Sequence, residues 1–197
     1  MILKTLGSAL LAAGLLTSAA LAQAETVRWS RSADVTTLDP HVFNTGTNFV
    51  LMHQMYETLL NRTADGKLQP LLATEWKMLE SDPTVWEFKI RPNVKFHDGS
   101  ALTAKDVVFS LNRARGPNAQ VKSLLASVED IKAVDDLTVH VKTKGPNLIF
   151  PNNLTNLFIM NEAWAKKNNA LETQDATSKT ENGATRAVNG TGAFMLD

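Results

Sequence analysis

Between Trp86 and Val141 the apolar residues recur first at every second position, then at helical spacing, then at every second position again. A period of two marks a strand with one buried face, and a period of about 3.6 marks a helix with one buried stripe. A chain with both must lay a helix over the apolar face of a sheet. Trp86, Phe88 and Ile90 alternate with Glu87 and Lys89, and Val94 and Phe96 alternate with Lys95 and His97, so a hairpin-like pair of strands is expected around Arg91-Pro92-Asn93. Thr103 and Asp106 then have the spacing of a capping box, in which side chains satisfy the free backbone N–H groups of a first helical turn. Ala104, Val107, Val108, Leu111 and Ala114 fall on one face of that helix, and Gly116-Pro117 ends it. Arg113 and Arg115 sit in its last turn, where cations favour the negative end of the helix dipole. The helix is expected to pack on the first hairpin. Leu137, Val139 and Val141 alternate with Thr138, His140 and Lys142 behind the run 131–134 and the joint Asp135-Asp136, which predicts a second hairpin.

Upstream, residues 26–30 read as a strand and residues 34–48 as a loop broken by Asp39-Pro40 and Gly46. Phe49, Met52, Met55, Tyr56, Leu59 and Leu60 follow at helical spacing. The first 24 residues are different in kind. Lys4 is their one charge, Leu6 to Leu16 is apolar, and Ala22-Gln23-Ala24 is a small-x-small cleavage pattern, so they are expected to be a signal peptide removed after Ala24. An apolar stretch that short falls well below the roughly 20 residues needed to span hydrocarbon. Glu25 occupies the place where a lipoprotein would need Cys. A freely soluble exported protein is retained only inside a second membrane, so the expected location is the periplasm.

Composition closes several routes. Lys and Arg number 20 against 20 Asp and Glu, and the pI is near 6.9, so there is no basic field to draw nucleic acid or anionic lipid. With no cysteine, thiolate metal sites and cysteine nucleophiles are excluded. The sequence has no nucleophile elbow, no HExxH and no phosphate-binding P-loop. His41, His53, His97 and His140 lack the spacing of a helical metal pair. Gly190-Thr191-Gly192 reads as a tight turn into a strand at 193–196 rather than a dinucleotide loop. Glu129, Asp130, Asp135 and Asp136 read as solvated hairpin ends. No catalytic residue, metal or cofactor is expected.

The ordered blocks Leu38-Asp39-Pro40, Tyr56-Glu57-Thr58-Leu59-Leu60, Gly66-Lys67-Leu68-Gln69-Pro70-Leu71-Leu72-Ala73-Thr74-Glu75-Trp76, Trp86-Glu87-Phe88-Lys89-Ile90-Arg91, Val94-Lys95-Phe96-His97-Asp98-Gly99 and Leu102-Thr103-Ala104-Lys105-Asp106-Val107-Val108-Phe109-Ser110-Leu111 carry a resemblance. In these blocks the chain resembles the family 5 solute-binding proteins, which include the peptide receptors of ATP-binding-cassette importers. The resemblance implies an α/β fold: the N-terminal part of a two-lobed, type II-like periplasmic-binding-protein fold, with mixed sheets and an inserted α+β subdomain. On that pattern residues 25–60 begin the first lobe, residues 61–178 are the inserted subdomain, and residues 179–197 return to the first lobe. The second lobe is absent from this chain, which suggests a truncated product.

The implied function is capture of a small peptide or peptide-like solute by a monomer that delivers it to inner-membrane permease subunits. Asn44, Thr45, Gly46 and Thr47 match the segment that forms one wall of the family's cleft, and Thr155 and Asn156 line the same cleft by analogy. Gly46 permits close backbone approach, and the hydroxyls can hydrogen-bond amides. The same residues also suit the start of the following helix, with Thr45 to Asn48 capping it. Asn44 falls where related oligopeptide receptors can carry an acid, and as a neutral amide it attracts an ammonium less. Two other readings stay open at this stage: a truncated remnant that binds nothing, and a secreted hydrolase using a carboxylate pair.

Overall fold

A computed structural model describes residues 34–178 and 180–196. The leader and the strand expected at 26–30 lie outside them. The described chain runs α1 (Gly46–Met55), β1 (Leu60–Arg62), β2 (Leu68–Pro70), β3 (Ala73–Leu79), β4 (Asp82–Ile90), α2 (Ala104–Ala114), β5 (Val128–Asp135), β6 (Thr138–Thr143), α3 (Phe150–Asn153) and α4 (Glu162–Lys167). Short 3-10 turns occupy Gln120–Leu125 and Gly183–Thr185. Two antiparallel sheets result, a β1-β2 hairpin and a four-stranded sheet in the order β3-β4-β6-β5.

The alternation in β4 is real, and its apolar residues Trp86, Phe88 and Ile90 are buried. Its expected partner is wrong. β4 pairs with β3, Trp76 opposite Phe88 and Met78 opposite Trp86, and on its other side with β6, Phe88 opposite Val139. Residues 94–96 instead fold back on their own continuation: Leu102 N–H donates to the Val94 carbonyl at 3.0 Å and Phe96 N–H to that of Ser100 at 2.9 Å. Asn93 and Gly99, at φ 61° and 84°, supply the left-handed turns this compact loop needs. Phe96 is buried as an alternating strand residue would be, so the pattern reported burial and not pairing.

The second hairpin forms as expected, with Asp135 opposite Thr138 and Ile131 opposite Val141. Asp135 accepts the Leu137 N–H at 2.8 Å and so shapes the turn. The acidic residues singled out around it have structural partners: Glu129 reaches Lys142 at 3.3 Å and Asp130 reaches Lys132 at 2.9 Å.

Helix α2 begins as the capping pattern requires, since the Asp106 carboxylate accepts from the Thr103 N–H at 2.9 Å and from its hydroxyl at 3.0 Å. It lies mainly over β5 and β6 rather than over the expected first hairpin. Val107, Leu111 and Ala114 join Phe88, Val139, Val141, Phe150 and Leu154 in the larger core. Each fully buried Val, Leu or Phe among them is worth about 1.5–3 kcal/mol relative to exposure. Phe109, on another side of α2, packs against a second core of Met52, Met55, Tyr56, Phe158 and Met160. A single helix therefore ties the sheet to the segment that carries α1.

Helix α1 ends before the expected stripe does. Tyr56 is extended, at φ −120° and ψ 158°, because residues 57–59 are used as strand-like backbone: Thr58 bridges Phe158, the Glu57 carbonyl accepts from Ile159, and the Leu59 carbonyl accepts from Ala73. Residues 193–196 form no strand. The Gly192 and Phe194 N–H groups donate to Met55 and Gln54, each at 3.0 Å, so this stretch is laid against the end of α1.

Candidate functional site

Asn44 and Thr45 precede α1 and Gly46 and Thr47 open it, and all four are exposed. Thr45 is the N-cap, with extended backbone and a carbonyl accepting the Phe49 N–H at 3.1 Å, but its side chain makes no capping bond. Thr45 thus occupies the N-cap position by its backbone alone, and the expected side-chain capping is not seen. Space is open around Gly46: an added Cβ would meet nothing within 4 Å.

The second candidate pair follows α3. Thr155 is buried, and its hydroxyl donates to the Asn152 carbonyl at 2.9 Å, closing the turn. Asn156 is half-buried and hydrogen-bonds the side chain of His53 on α1. Burial lowers the His53 pKa, and the Asn156 bond opposes that shift. His53 also meets the Phe158 ring edge-on, with centroids 4.8 Å apart. The two groups of candidate residues are thus brought onto neighbouring segments, joined through His53 and Phe158. His53 stands six residues, or about 9 Å of helix rise, beyond Thr47.

What holds these segments is a buried polar cluster that the sequence reading missed. Arg113 does not point to solvent at the end of α2; its side chain and that of Asp39 are fully buried and form an ion pair. Arg113 Nη1 donates to Asp39 Oδ1 at 2.8 Å, Nη2 bonds Oδ2, and Nη1 also lies 3.0 Å from His41 Nδ1. Burial alone would raise the Asp39 carboxyl, but the Arg113 guanidinium overrides it and holds the pKa below the usual range. Burial and the Arg113 charge push His41 down to about 4, against the pull of Asp39. The Tyr56 hydroxyl is also buried, has no hydrogen-bond partner among the described residues, and is pushed well above the usual range, chiefly by burial. One signal was available in advance: Asp39-Pro40-His41 is a dense polar group directly before a candidate wall.

Two concavities among the described residues lie elsewhere. A groove of about 460 Å³ is lined by Pro70, Thr74, Trp76, Lys77, Glu87 and Lys89 at the β3 edge of the sheet. A smaller one of about 140 Å³, lined by residues including Thr37, Val42, Phe43, Gln174 and Thr185, adjoins the stretch before Asn44. Neither is lined by the candidate residues. Among the described residues no group of three or more His, Asp or Glu side chains is placed to hold a metal ion. Chemically, the candidate wall offers neutral hydrogen-bonding groups beside a buried, hydrogen-bonded cluster.

Comparison with known proteins agrees with this architecture. The chain is 37% identical over 121 residues to the glutathione-binding protein GsiB of Pectobacterium atrosepticum, covering 60% of this chain and 23% of GsiB. It is 29% identical over 159 residues to the periplasmic oligopeptide-binding protein OppA of Escherichia coli, covering 71% of this chain and 29% of OppA. The structure superposes on the periplasmic binding protein DppA of Helicobacter pylori, solved with the peptide STSA, with a TM-score of 0.65 and 28% identity, covering 83% of this chain and 35% of DppA. The chain therefore spans about a quarter to a third of the length of these relatives. The family model for the middle region of bacterial extracellular solute-binding proteins, family 5, matches residues 67–197, and the chain belongs to that family.

Proposed function

We propose that this chain supplies one wall of a periplasmic receptor that captures short peptides or peptide-like solutes and delivers them to the permease of an ATP-binding-cassette importer. The observation that carries the reading is the exposed turn 44–47, held at the head of α1 on a fully buried support, in a chain whose relatives bind oligopeptides and glutathione. Hydroxyls, an amide and open backbone suit the main chain of a peptide, which presents alternating donors and acceptors. The ligand is bound and not transformed. In this reading residues 61–178 are a subdomain inserted into the first lobe, residues 179–197 return to that lobe, the leader is cleaved, the protein carries no lipid anchor, and the receptor acts as a monomer.

Affinity in a closing receptor comes from enclosing the ligand between two walls. One wall alone is expected to bind at about 1 mM or weaker, equivalent to roughly 4 kcal/mol. The test is a titration of the isotopically labelled chain with reduced glutathione, and separately with trialanine, followed by amide chemical shifts. Shifts at residues 44–47 and 156, with the ligand recovered unchanged, are expected. Movement confined to the groove around Trp76, or consumption of the ligand, would sink the reading.

A further inference from the structure

We infer that Arg113 is a positioning residue for the candidate wall, acting through Asp39 and one particular tautomer of His41. The inference rests on the binding role proposed for residues 44–47 and Asn156.

A guanidinium has five N–H donors and no acceptor. Arg113 spends all five: Nε on the Ala170 carbonyl at 2.9 Å, Nη1 on Asp39 and His41, and Nη2 on Asp39 and, at 3.1 Å, on the Glu172 carbonyl. Nothing is left to reach a ligand, so any influence on binding passes through its partners. Because Arg113 only donates, His41 Nδ1 must accept. The ring proton then sits on Nε2, which donates to the Phe158 carbonyl at 3.0 Å. His41 is fully buried, and its backbone N–H donates to Asp39 Oδ1 at 3.1 Å, so main chain and ring are both tied to the same ion pair.

The two ends of this relay are the two parts of the wall. His41 lies three residues before Asn44, and Phe158 two residues after Asn156. Arg113 thereby sets the loop that presents the first group against the segment that presents the second. Lysine could keep the charge but not the planar five-donor fork.

The test uses the purified chain and nitrogen-resolved NMR of its histidines, with reduced glutathione as probe. In the wild type, His41 is expected to carry its proton on Nε2. His41→Asn keeps an acceptor near Arg113 but has no group that spans to the Phe158 carbonyl. It is expected to leave the amides of Phe88 and Val139 in place, to move those of residues 44–47 and 156, and to weaken glutathione titration at least threefold. Arg113→Lys is expected to move the same amides and to release the His41 tautomer. A His41 proton on Nδ1 in the wild type overturns the inference, as does a His41→Asn spectrum unchanged at 44–47 and 156. If wild-type amides 44–47 and 156 ignore glutathione while His41→Asn still displaces them, the binding reading fails and the mechanical coupling stands.

Discussion

Gly190 lies so close to the backbone of Met55 that a Cβ at position 190 would collide with the Met55 carbonyl oxygen. His97 holds the same stretch from the other side, its N–H donating to the Gly190 carbonyl at 2.9 Å while its Nε2 meets the Gly192 carbonyl at 2.9 Å. Gly190 N–H points to His97 Nδ1, so here too the ring proton belongs on Nε2. Gly190→Ala is expected to force residues 190–194 away from the end of α1. The cost should be about 1–3 kcal/mol, as for other overpacking substitutions, with lost amide protection at Gly192 and Phe194 by hydrogen exchange. Gly46→Ala is the control: with open space and an ordinary helical φ, it should stabilise by up to about 1 kcal/mol.

Asp39→Asn leaves the Arg113 charge buried without its counter-ion. Breaking one side of a buried pair costs about 3–5 kcal/mol. Urea denaturation should show a lower midpoint at an unchanged slope, the two together giving a loss of that size, and a loss below about 1 kcal/mol would mean that the pair is solvated.

Acid should weaken the fold through His41. Its pKa is about 4 when folded, against an ordinary histidine value of 6.5, so between those values the unfolded chain takes up a proton that the native state refuses. Stability is then full above pH 6.5, falls as pH drops toward 4, and loses about 3 kcal/mol from this group over that window. Asp39 and Arg113 are the charged side chains that act on the ring. The lowered pKa of half-buried His53 acts in the same direction. In His41→Asn, unfolding measured at successive pH values should show a visibly flatter profile across the window.

Tyr56→Phe removes a buried hydroxyl that has no hydrogen-bond partner among the described residues. The usual net loss of about 1 kcal/mol for deleting a hydrogen bond should not appear. Thermal unfolding should find the variant neutral or more stable by up to about 1 kcal/mol.

Asn44→Asp places a carboxylate at the exposed start of the wall. If a peptide ammonium docks there, affinity for trialanine should rise about two- to fivefold at low salt, and the gain should shrink at high ionic strength. N-acetylated trialanine should show no gain.

Local patterns carried much of this fold. Thr103 and Asp106 marked the start of α2, Asp135-Asp136 marked the turn between β5 and β6, and the alternation through Trp86, Phe88 and Ile90 marked the buried face of β4. The ordered blocks were enough to identify the family. Each of these signals lies within a few residues of sequence, where backbone geometry is decided. Pairing is not decided there. Phe96 alternates like a strand residue because it is buried, yet β4 finds β3 and β6 instead, since periodicity records which face is dry and not what covers it. The same limit hid the support of the candidate wall. Arg113 reads as a dipole partner by its place in α2, and only tertiary folding brings it to Asp39, 74 residues away, and to the backbone of residues 170 and 172. A buried charge is tolerated only where every donor finds an acceptor, and for Arg113 those acceptors come from separate stretches of chain.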